Sequence, residues 1–228
     1  MEKQGIIFKV TNSSFQPSHY SLSLKKRVFD VFLALLALII LSPLLLIIIL
    51  IIKFRSAGSA FFKQKRIGLN EKPFVIYKFR TMDPGAHILQ KKYKHLNISP
   101  FPTFKIPNDP RLNSFGLFLS KTTLDELPQL INVLQGDMSI IGPRPFPEKE
   151  HKLLSSKWKK RSLVKPGLIS PVFFFAREKV TTSQWTKIDL DYAKNASLIN
   201  DLKTAFQVFC HYIKIFLFQF QKLSRIYK

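Results

Sequence analysis

The strongest feature of the hydrophobic pattern is an apolar run from Val28 to Ile52, which Ser42-Pro43 interrupts near its middle. As a helix, its roughly 25 residues would extend about 37 Å, enough to cross a bilayer. Lysine and arginine flank both ends, at Lys25–Arg27 and at Lys53, whereas a spanning helix usually carries its basic excess on one side. The pattern leaves two arrangements open: a spanning helix, and a re-entrant helix that bends at Ser42-Pro43 and returns to the same face.

Proline and serine in the middle of this run have opposite effects on a helix. Pro43 lacks the N–H group that would bond the carbonyl four residues earlier, so a bend is expected there. The Ser42 hydroxyl can satisfy a carbonyl freed in this way, which makes such a break tolerable in lipid.

After residue 58 the pattern changes to short alternating segments rich in β-formers. Ala60–Gln64 and Phe74–Arg80 predict two strands, and the Gly68-Leu69-Asn70 segment between them predicts the turn of a hairpin. Five prolines between residues 83 and 110 indicate a loop region that contains one short helix. Helical periodicity predicts helices near Ala86–Leu96, Leu124–Leu134, Pro147–Arg161 and Asp189–Phe209.

These elements predict an α+β protein with a membrane helix, a mostly helical domain after it, a small β-hairpin and amphipathic interfacial helices. The predicted boundaries are a flexible arm at 1–21, the membrane helix–break–helix at 22–55, the mostly helical domain at 56–205 and a basic, aromatic helix at 206–228. The last of these has one apolar face, which fits either the membrane interface or a protein core.

The net charge of the chain limits the kinds of partner that it can attract. Lysine and arginine outnumber acidic residues by 36 to 14, a formal net charge of +22 that attracts polyanions. Nucleic acid would not account for the apolar run, whereas an anionic membrane surface and phosphorylated substrates account for both features. Cys210 is the single cysteine, so an internal disulfide is excluded.

The pair Asp125-Glu126 is the main candidate for chemistry, and two interpretations fit it. In the structural one, Thr123-x-x-Glu126 is a capping box and Asp125 complements the dipole of a helix beginning at Leu124. In the functional one, the same dipole keeps Asp125 ionised as a nucleophile and Glu126 holds Mg²⁺. Arg144, fixed by prolines on both sides, offers a planar fork that matches phosphate oxygens.

The chain resembles a known family, the monotopic phosphoglycosyl transferases, over about residues 26–206. The resemblance depends on motifs in order along the chain: Lys26-Arg-Val-Phe-Asp30, Ser42-Pro43, Phe62-Lys-Gln-Lys-Arg-Ile-Gly68, Tyr77-Lys-Phe-Arg-Thr-Met82, Asp109-Pro-Arg111, Leu124-Asp-Glu-Leu-Pro128, Asn132-Val-Leu-Gln-Gly-Asp-Met-Ser139, Gly142-Pro-Arg-Pro145, Lys165-Pro-Gly167 and Asp189-Leu-Asp-Tyr192. One such motif would be weak, but the ordered series is specific.

The resemblance implies a membrane helix that re-enters one leaflet of the bacterial cytoplasmic membrane, with the catalytic domain facing the cytosol. It implies transfer of a sugar 1-phosphate from a nucleotide sugar to polyprenol phosphate, with Mg²⁺ as cofactor and an aspartyl-phosphosugar intermediate. By motif match, Asp125 is the nucleophile and Glu126, together with Asp125, holds the metal. The candidate phosphate contacts are Lys78, Arg80, Arg111 and Arg144. The expected partners are these two substrates and membrane lipid, with a homodimer possible and no nucleic acid.

Two segments depart from the family pattern. An arginine usually precedes the Asp-Glu pair, where this chain has Leu119-Ser120-Lys121, and the segment after Gly167 contains Ser170–Phe175 in place of a Thr-Gly pair and a glutamine. The alternative to an active transferase is therefore a catalytically impaired or regulatory relative.

Overall fold

The computed structural model describes residues 15–55, 58–83, 85–174 and 180–210. The apolar run forms one long helix, α1 (Leu24–Arg55), which contains Pro43. By length and composition it is apolar enough to cross a membrane. The Ser42 hydroxyl donates a 2.8 Å hydrogen bond to the Ile39 carbonyl, the acceptor that Pro43 leaves without an N–H partner. The expected repair by Ser42 is confirmed, and α1 remains one helical element, not two. The re-entrant arrangement itself stays a prediction.

Helix α1 packs against the remaining domain on both sides of Pro43. Ala34 is buried in one apolar cluster with Ile76 and Val133. Ile48 and Ile52 are buried in a second cluster, which includes Phe79 and Leu119. Other apolar side chains of α1 remain exposed, among them Phe32, Ile39, Ile40, Leu46, Leu50 and Phe54. One face of the helix therefore covers the domain while another is left for an apolar environment.

The two ends of α1 are also tied to this domain by polar contacts. Near the first end, Lys26 Nζ lies 3.1 Å from Asp30 and 2.5 Å from Asp201, and all three side chains are buried. Near the last end, Arg55 donates a 3.4 Å hydrogen bond to Ser114 Oγ. Buried charges are stable only when they are paired in this way, so the first of these contacts fixes the helix firmly.

The predicted hairpin is confirmed. Strands β1 (Phe61–Ile67) and β2 (Pro73–Phe79) pair antiparallel, from Phe61 opposite Phe79 to Ile67 opposite Pro73. Buried Asn132 fixes the hairpin to the domain behind it, because its side-chain amide accepts from Tyr77 N and donates to the Val75 carbonyl. Alternation along the strands made the hairpin predictable.

The predicted helices are more fragmented than their periodicity suggested. Residues 86–96 form two 3₁₀ turns, Ala86–Gln90 and Lys94–Leu96. The region from Leu124 forms a 3₁₀ turn, Leu124–Glu126, and then α3 (Gln129–Gln135). Further helices are α2 (Ser114–Thr122), which the pattern did not predict, α4 (Glu148–His151), α5 (Ser156–Lys159), α6 (Thr182–Asn195) and a helix through residues 198–210. Further 3₁₀ turns are His19–Leu22, Leu69–Glu71, Lys160–Leu163 and Pro171–Phe174.

A second, parallel strand pair was also not predicted. Strand β3 (Ser139–Ile141) lies beside β4 (Gly167–Ile169), with three residues each. A Cβ on Gly167 would lie 2.0 Å from the Gly142 backbone nitrogen, so the two chains approach here as only glycine allows. This close pair positions the Gly142–Pro145 segment, and with it Arg144.

The predicted domain boundaries stay predictions, and most of the predicted helix at 206–228 lies outside the described residues.

Candidate active site

A sharp turn places Asp125 and Glu126 against strand β2. Helix α2 ends at Thr122, and Thr123 adopts a left-handed conformation with φ 57° and ψ 13°. A non-glycine residue in this region costs about 1 kcal/mol or more, a strain typical of functional turns. The chain reverses here and enters the 3₁₀ turn Leu124–Glu126, so the carboxylate pair precedes α3 and does not form part of its first turn.

Glu126 is held between two cations. Lys78 Nζ, from β2, donates a 2.6 Å hydrogen bond to Glu126 Oε1. Arg144 donates to both carboxylate oxygens, at 2.9 Å to Oε1 and 3.4 Å to Oε2. The capping-box interpretation is therefore wrong: the Glu126 side chain bonds cations from two distant segments, and the Thr123 side chain makes no cap hydrogen bond to this turn.

Asp125 lies at the edge of the same cluster. Its side chain is 13% exposed, and its Oδ2 is 3.8 Å from Lys78 Nζ. Burial raises the pKa of Asp125, and the nearby Lys78 opposes that rise without cancelling it. The sequence suggested that a helix dipole keeps this carboxylate readily ionised. In the structure, burial instead disfavours its ionised form, and the neighbouring cations oppose that effect only in part.

The pKa values of Asp125 and Glu126 are shifted in opposite directions. Burial alone would raise the pKa of Glu126, but Arg144 and Lys78 outweigh it and hold that pKa well below its usual range. Glu126 in turn raises the pKa of Arg144. Adjacent titratable groups whose pKa values are pushed apart are a recognised sign of a division of labour at active sites. The low pKa of Glu126 favours its ionised form at neutral pH, whereas Asp125 is the carboxyl group whose pKa is raised by burial.

One further cation of the cleft, Arg66, was not identified from the sequence as a site residue. The cleft beside Glu126 is lined by Arg66, Ile76, Lys78, Gln129, Arg144, Pro145 and Gly167. Arg66 donates to the Pro145 carbonyl at 2.9 Å, and burial and the charge of Arg144 lower the pKa of Arg66 to about 10. Crowded cations of this kind favour an anionic ligand. Arg66 stands within a quoted motif, but nothing local distinguished it from its basic neighbours.

A buried network behind Arg144 holds its backbone in place. Arg161 donates a 2.5 Å hydrogen bond to the Arg144 carbonyl and forms an ion pair with buried Asp189 at 2.9 Å. Its guanidinium lies 3.9 Å from the centre of the Phe146 ring. Trp158 donates its indole N–H to the same Asp189. Sequence reasoning missed these roles because the partners are separated by many residues.

Two predicted phosphate contacts are not brought into this cluster. Arg111 donates to both carboxylate oxygens of Asp109, so its guanidinium is engaged within its own turn. The Arg80 guanidinium lies beside Gly58, at the end of the hairpin. Of the four candidate cations, Lys78 and Arg144 therefore meet at Glu126. Ser120 and Lys121, which replace the family arginine, are both exposed on α2.

Asp125 and Glu126 suit a magnesium ion that also binds a phosphorylated ligand. No group of three or more His, Cys, Asp or Glu side chains that could hold a metal occurs among the described residues. Mg²⁺ commonly takes one or two carboxylates and completes its shell with water and substrate phosphates. Two adjacent carboxylates at a cleft fit that donor set, with Asp125 the less engaged of the two.

Comparison with known proteins shows the family of the chain. The sequence model for bacterial sugar transferases matches residues 21–214. The chain is 40% identical to the exopolysaccharide production protein ExoY of Sinorhizobium fredii over 189 residues, which cover 81% of this chain and 83% of that protein. It is 37% identical to the UDP-glucose:undecaprenyl-phosphate glucose-1-phosphate transferase of Escherichia coli over 191 residues, 80% of this chain but 39% of that longer protein. The chain therefore belongs to the bacterial sugar transferase family.

Proposed function

We propose that this protein transfers a sugar 1-phosphate from a nucleoside diphosphate sugar to polyprenol phosphate, through a covalent intermediate on Asp125. The names of two relatives, a glucose-1-phosphate transferase and an undecaprenyl-phosphate galactose phosphotransferase, support this substrate class. The observation that carries the proposal is the cluster itself: Glu126 clamped by Lys78 and Arg144, with Asp125 beside it. The intact cluster favours an active transferase over the regulatory alternative.

In the first step, a carboxylate oxygen of Asp125 attacks the phosphorus that carries the sugar. The bond between this phosphorus and the oxygen that bridges the two phosphates breaks, and a nucleoside monophosphate leaves with the bond's electron pair. In the second step, an oxygen of polyprenol phosphate attacks the same phosphorus and displaces the Asp125 carboxylate. The products are a polyprenyl diphosphate sugar and free enzyme. Two steps allow each anionic substrate to meet the site separately.

The neighbouring residues supply the positive field that phosphoryl transfer needs, since catalysis here consists largely of positioning and charge stabilisation. Arg144, 43% exposed, presents its guanidinium at the cleft, and Lys78 lies between the two carboxylates. Glu126 holds both cations at fixed positions. Mg²⁺, held by Asp125 and Glu126, would neutralise charge on the phosphate oxygens when bound.

A covalent intermediate is testable with donor alone. UDP-glucose and UDP-galactose are each labelled at the phosphorus attached to the sugar and mixed separately with the protein. We expect the one that serves as donor to leave its label on the protein. One equivalent of UMP should be released before any acceptor is added, and undecaprenyl phosphate should then remove the label. Initial-rate kinetics should be ping-pong. UMP release that strictly requires acceptor would contradict the two-step scheme.

The re-entrant arrangement of α1, in the cytoplasmic membrane with the site facing the cytosol, is part of the proposal. Support comes from the contacts at its two ends: Lys26 with Asp201 near its start, and Arg55 with Ser114 at its end. In a spanning helix these ends would lie on opposite faces of the bilayer, yet both bind one folded domain. Ala34 and Ile48, on either side of Pro43, are buried against that domain as well. A homodimer stays a prediction.

Cysteine labelling in spheroplasts tests the arrangement. Gln16 and Ser59 are exposed and flank α1, so each is replaced by cysteine in a Cys210→Ser background. Because both flanks are expected in the cytosol, an impermeant maleimide should label neither in intact spheroplasts and both after permeabilisation. Labelling of one position from outside, with the other protected, would establish a spanning helix. Pro43→Leu should convert part of the population to that form.

A further inference from the structure

The segment between β2 and α2 has an unusual surface. Residues 84–108 contain four lysines and no acidic residue. All four lysines are exposed, at positions 91, 92, 94 and 105. Large apolar side chains are exposed among them: Ile88, Leu89, Leu96, Ile98 and Phe101. Exposed apolar groups within a purely basic segment are typical of surfaces that meet an anionic lipid interface, where both kinds of group are stabilised.

The outer part of this segment is a built loop. The Asn97 side chain accepts hydrogen bonds from Ser99 N and Lys105 N and donates to the Ser99 and Thr103 carbonyls. Ile98 N also donates to the Lys105 carbonyl. These bonds bring residues 97 and 105 together, so that the chain between them forms a closed loop, which we call the 97–105 loop.

The 97–105 loop divides its side chains between two environments. Thr103 is buried, whereas Ile98 is 66% exposed and Phe101 is 64% exposed. Packing within the domain does not explain a hydrogen-bonded loop that leaves Ile98 and Phe101 exposed, while Phe104 of the same loop lies against Arg111. Apolar groups presented on an internally hydrogen-bonded loop suit insertion, because each internal bond lowers the number of unpaired N–H and C=O groups that would enter the apolar phase with them.

Both ends of the segment lie beside the last turns of α1. It leaves the domain after Phe79, which packs with Ile48 and Ile52 of α1. It returns at α2, where Ser114 accepts the hydrogen bond from Arg55. The residue before Arg55, Phe54, is among the most exposed apolar side chains of α1. The two ends of the segment thus adjoin the last turns of α1, whereas the loop between them bonds to the start of α6, where Thr182 Oγ1 donates a 2.7 Å hydrogen bond to the Phe101 carbonyl.

We propose that the 97–105 loop docks on the membrane surface, with Ile98 and Phe101 at the boundary between headgroups and acyl chains. Lys105 of the loop and the three lysines that precede it, at positions 91, 92 and 94, would lie against anionic headgroup phosphates. This holds the β2–α2 connection at the bilayer, independently of α1. The inference uses no step of the transfer reaction, so it stands or fails separately from the proposed chemistry. Charge complementarity between the lysines and anionic headgroups, and the position of both ends of the segment beside α1, favour lipid over a protein partner.

Bromolipid quenching of an introduced tryptophan tests the loop directly. Phe101→Trp and the control Leu153→Trp are made in the full chain carrying Asp125→Asn, and the signal of the unsubstituted tryptophans is subtracted. Leu153 is comparably exposed, at 56%, but lies next to Leu154, which packs with Phe146 beyond the far end of the hairpin. In phosphatidylcholine vesicles with about 30% phosphatidylglycerol, bromines near the headgroup should quench the indole introduced by Phe101→Trp at least about two-fold more than the indole of the control.

The charge component has its own variant. Replacing Lys91, Lys92, Lys94 and Lys105 by glutamine should lower the quenching of the loop indole in the anionic vesicles to its level in pure phosphatidylcholine. Equal quenching of the loop indole and the control indole would overturn the proposal. A second outcome would also overturn it. In detergent without a bilayer, protection of the loop indole from iodide could increase with protein concentration, and this result would assign the loop to contact between copies of the chain. Quenching that is indifferent to both lipid charge and the lysine replacements would overturn the headgroup assignment.

Discussion

Asp125→Asn will lower turnover by at least about 10³-fold, the loss expected when a covalent route is deleted. The amide keeps the shape of the carboxylate but cannot attack phosphorus. Asp125 lies 3.8 Å from Lys78 in a cluster that Glu126 and Arg144 complete, so the substitution leaves the other charged groups in place. Donor-alone labelling should disappear with turnover, and Asp137→Asn, outside the cluster, should retain both.

The same variant should be at least as stable as the wild type at neutral pH. Burial raises the pKa of Asp125 above its ordinary value. A group whose pKa is raised on folding contributes stability below its unfolded pKa, and that contribution is lost as pH rises through the folded pKa. Asparagine avoids the loss, so its Tm should equal or exceed that of the wild type at pH 7 and match it at acidic pH.

Loss of activity with a lower Tm at neutral pH would instead assign Asp125 a structural role. Near-normal turnover of Asp125→Asn would end the assignment of the nucleophile.

In the wild type, activity should fall on acidification at a pH above the ordinary aspartate pKa, because the carboxylate must be ionised to attack. Lys78→Met removes the cation that opposes the rise, and it should move this acid limb to higher pH.

The apolar run and the alternating strands specify α1 and the hairpin because each has a periodicity that one element alone satisfies. Periodicity failed near Asp125 because the chain reverses at Thr123, whose left-handed conformation no local pattern required. It failed for β3 and β4 because three-residue strands are too short to carry an alternation. What reveals that pair is the close approach of Gly142 and Gly167, a contact across many residues.

The candidate site shows a similar division. Lys78, Glu126 and Arg144 could be named from motifs, but local sequence could not distinguish a capping role of Glu126 from a catalytic one, since both use the same residue at the same spacing. The distinction needed the positions of two distant cations. Arg111 shows the converse: a basic residue in a quoted motif whose charge is already satisfied two residues away by Asp109.

Glu126→Gln should lower both activity and stability, in contrast to the Asp125 variant. Its carboxylate accepts from Lys78 at 2.6 Å and from Arg144 at 2.9 Å. Glutamine removes the negative charge and turns an N–H₂ group toward two cations. We expect turnover to fall by about 10²- to 10³-fold, because the phosphate-binding cations lose their fixed positions. Added Mg²⁺ should restore only part of this loss.

The free energy of unfolding should fall by about 2 kcal/mol, less than the 3–5 kcal/mol typical of fully buried pairs, because Arg144 keeps contact with solvent. Arg144 and Lys78 hold the pKa of Glu126 low against the effect of burial, so its contribution is present above the unfolded pKa and is lost as pH falls through the folded pKa. The stability difference between wild type and variant should therefore narrow on acidification.

A matched control distinguishes this partly buried cluster from an exposed ion pair. Glu148 accepts from Lys152 at 2.6 Å, with both side chains exposed, and Glu148→Gln should leave the Tm almost unchanged, as expected for a surface pair. In an Arg144→Met background, Glu126→Gln should cost less than it does alone, because one of the stranded cations is already gone. Additive losses in the double variant, or an unchanged Tm for Glu126→Gln, would show that Glu126 does not organise the cations of this site.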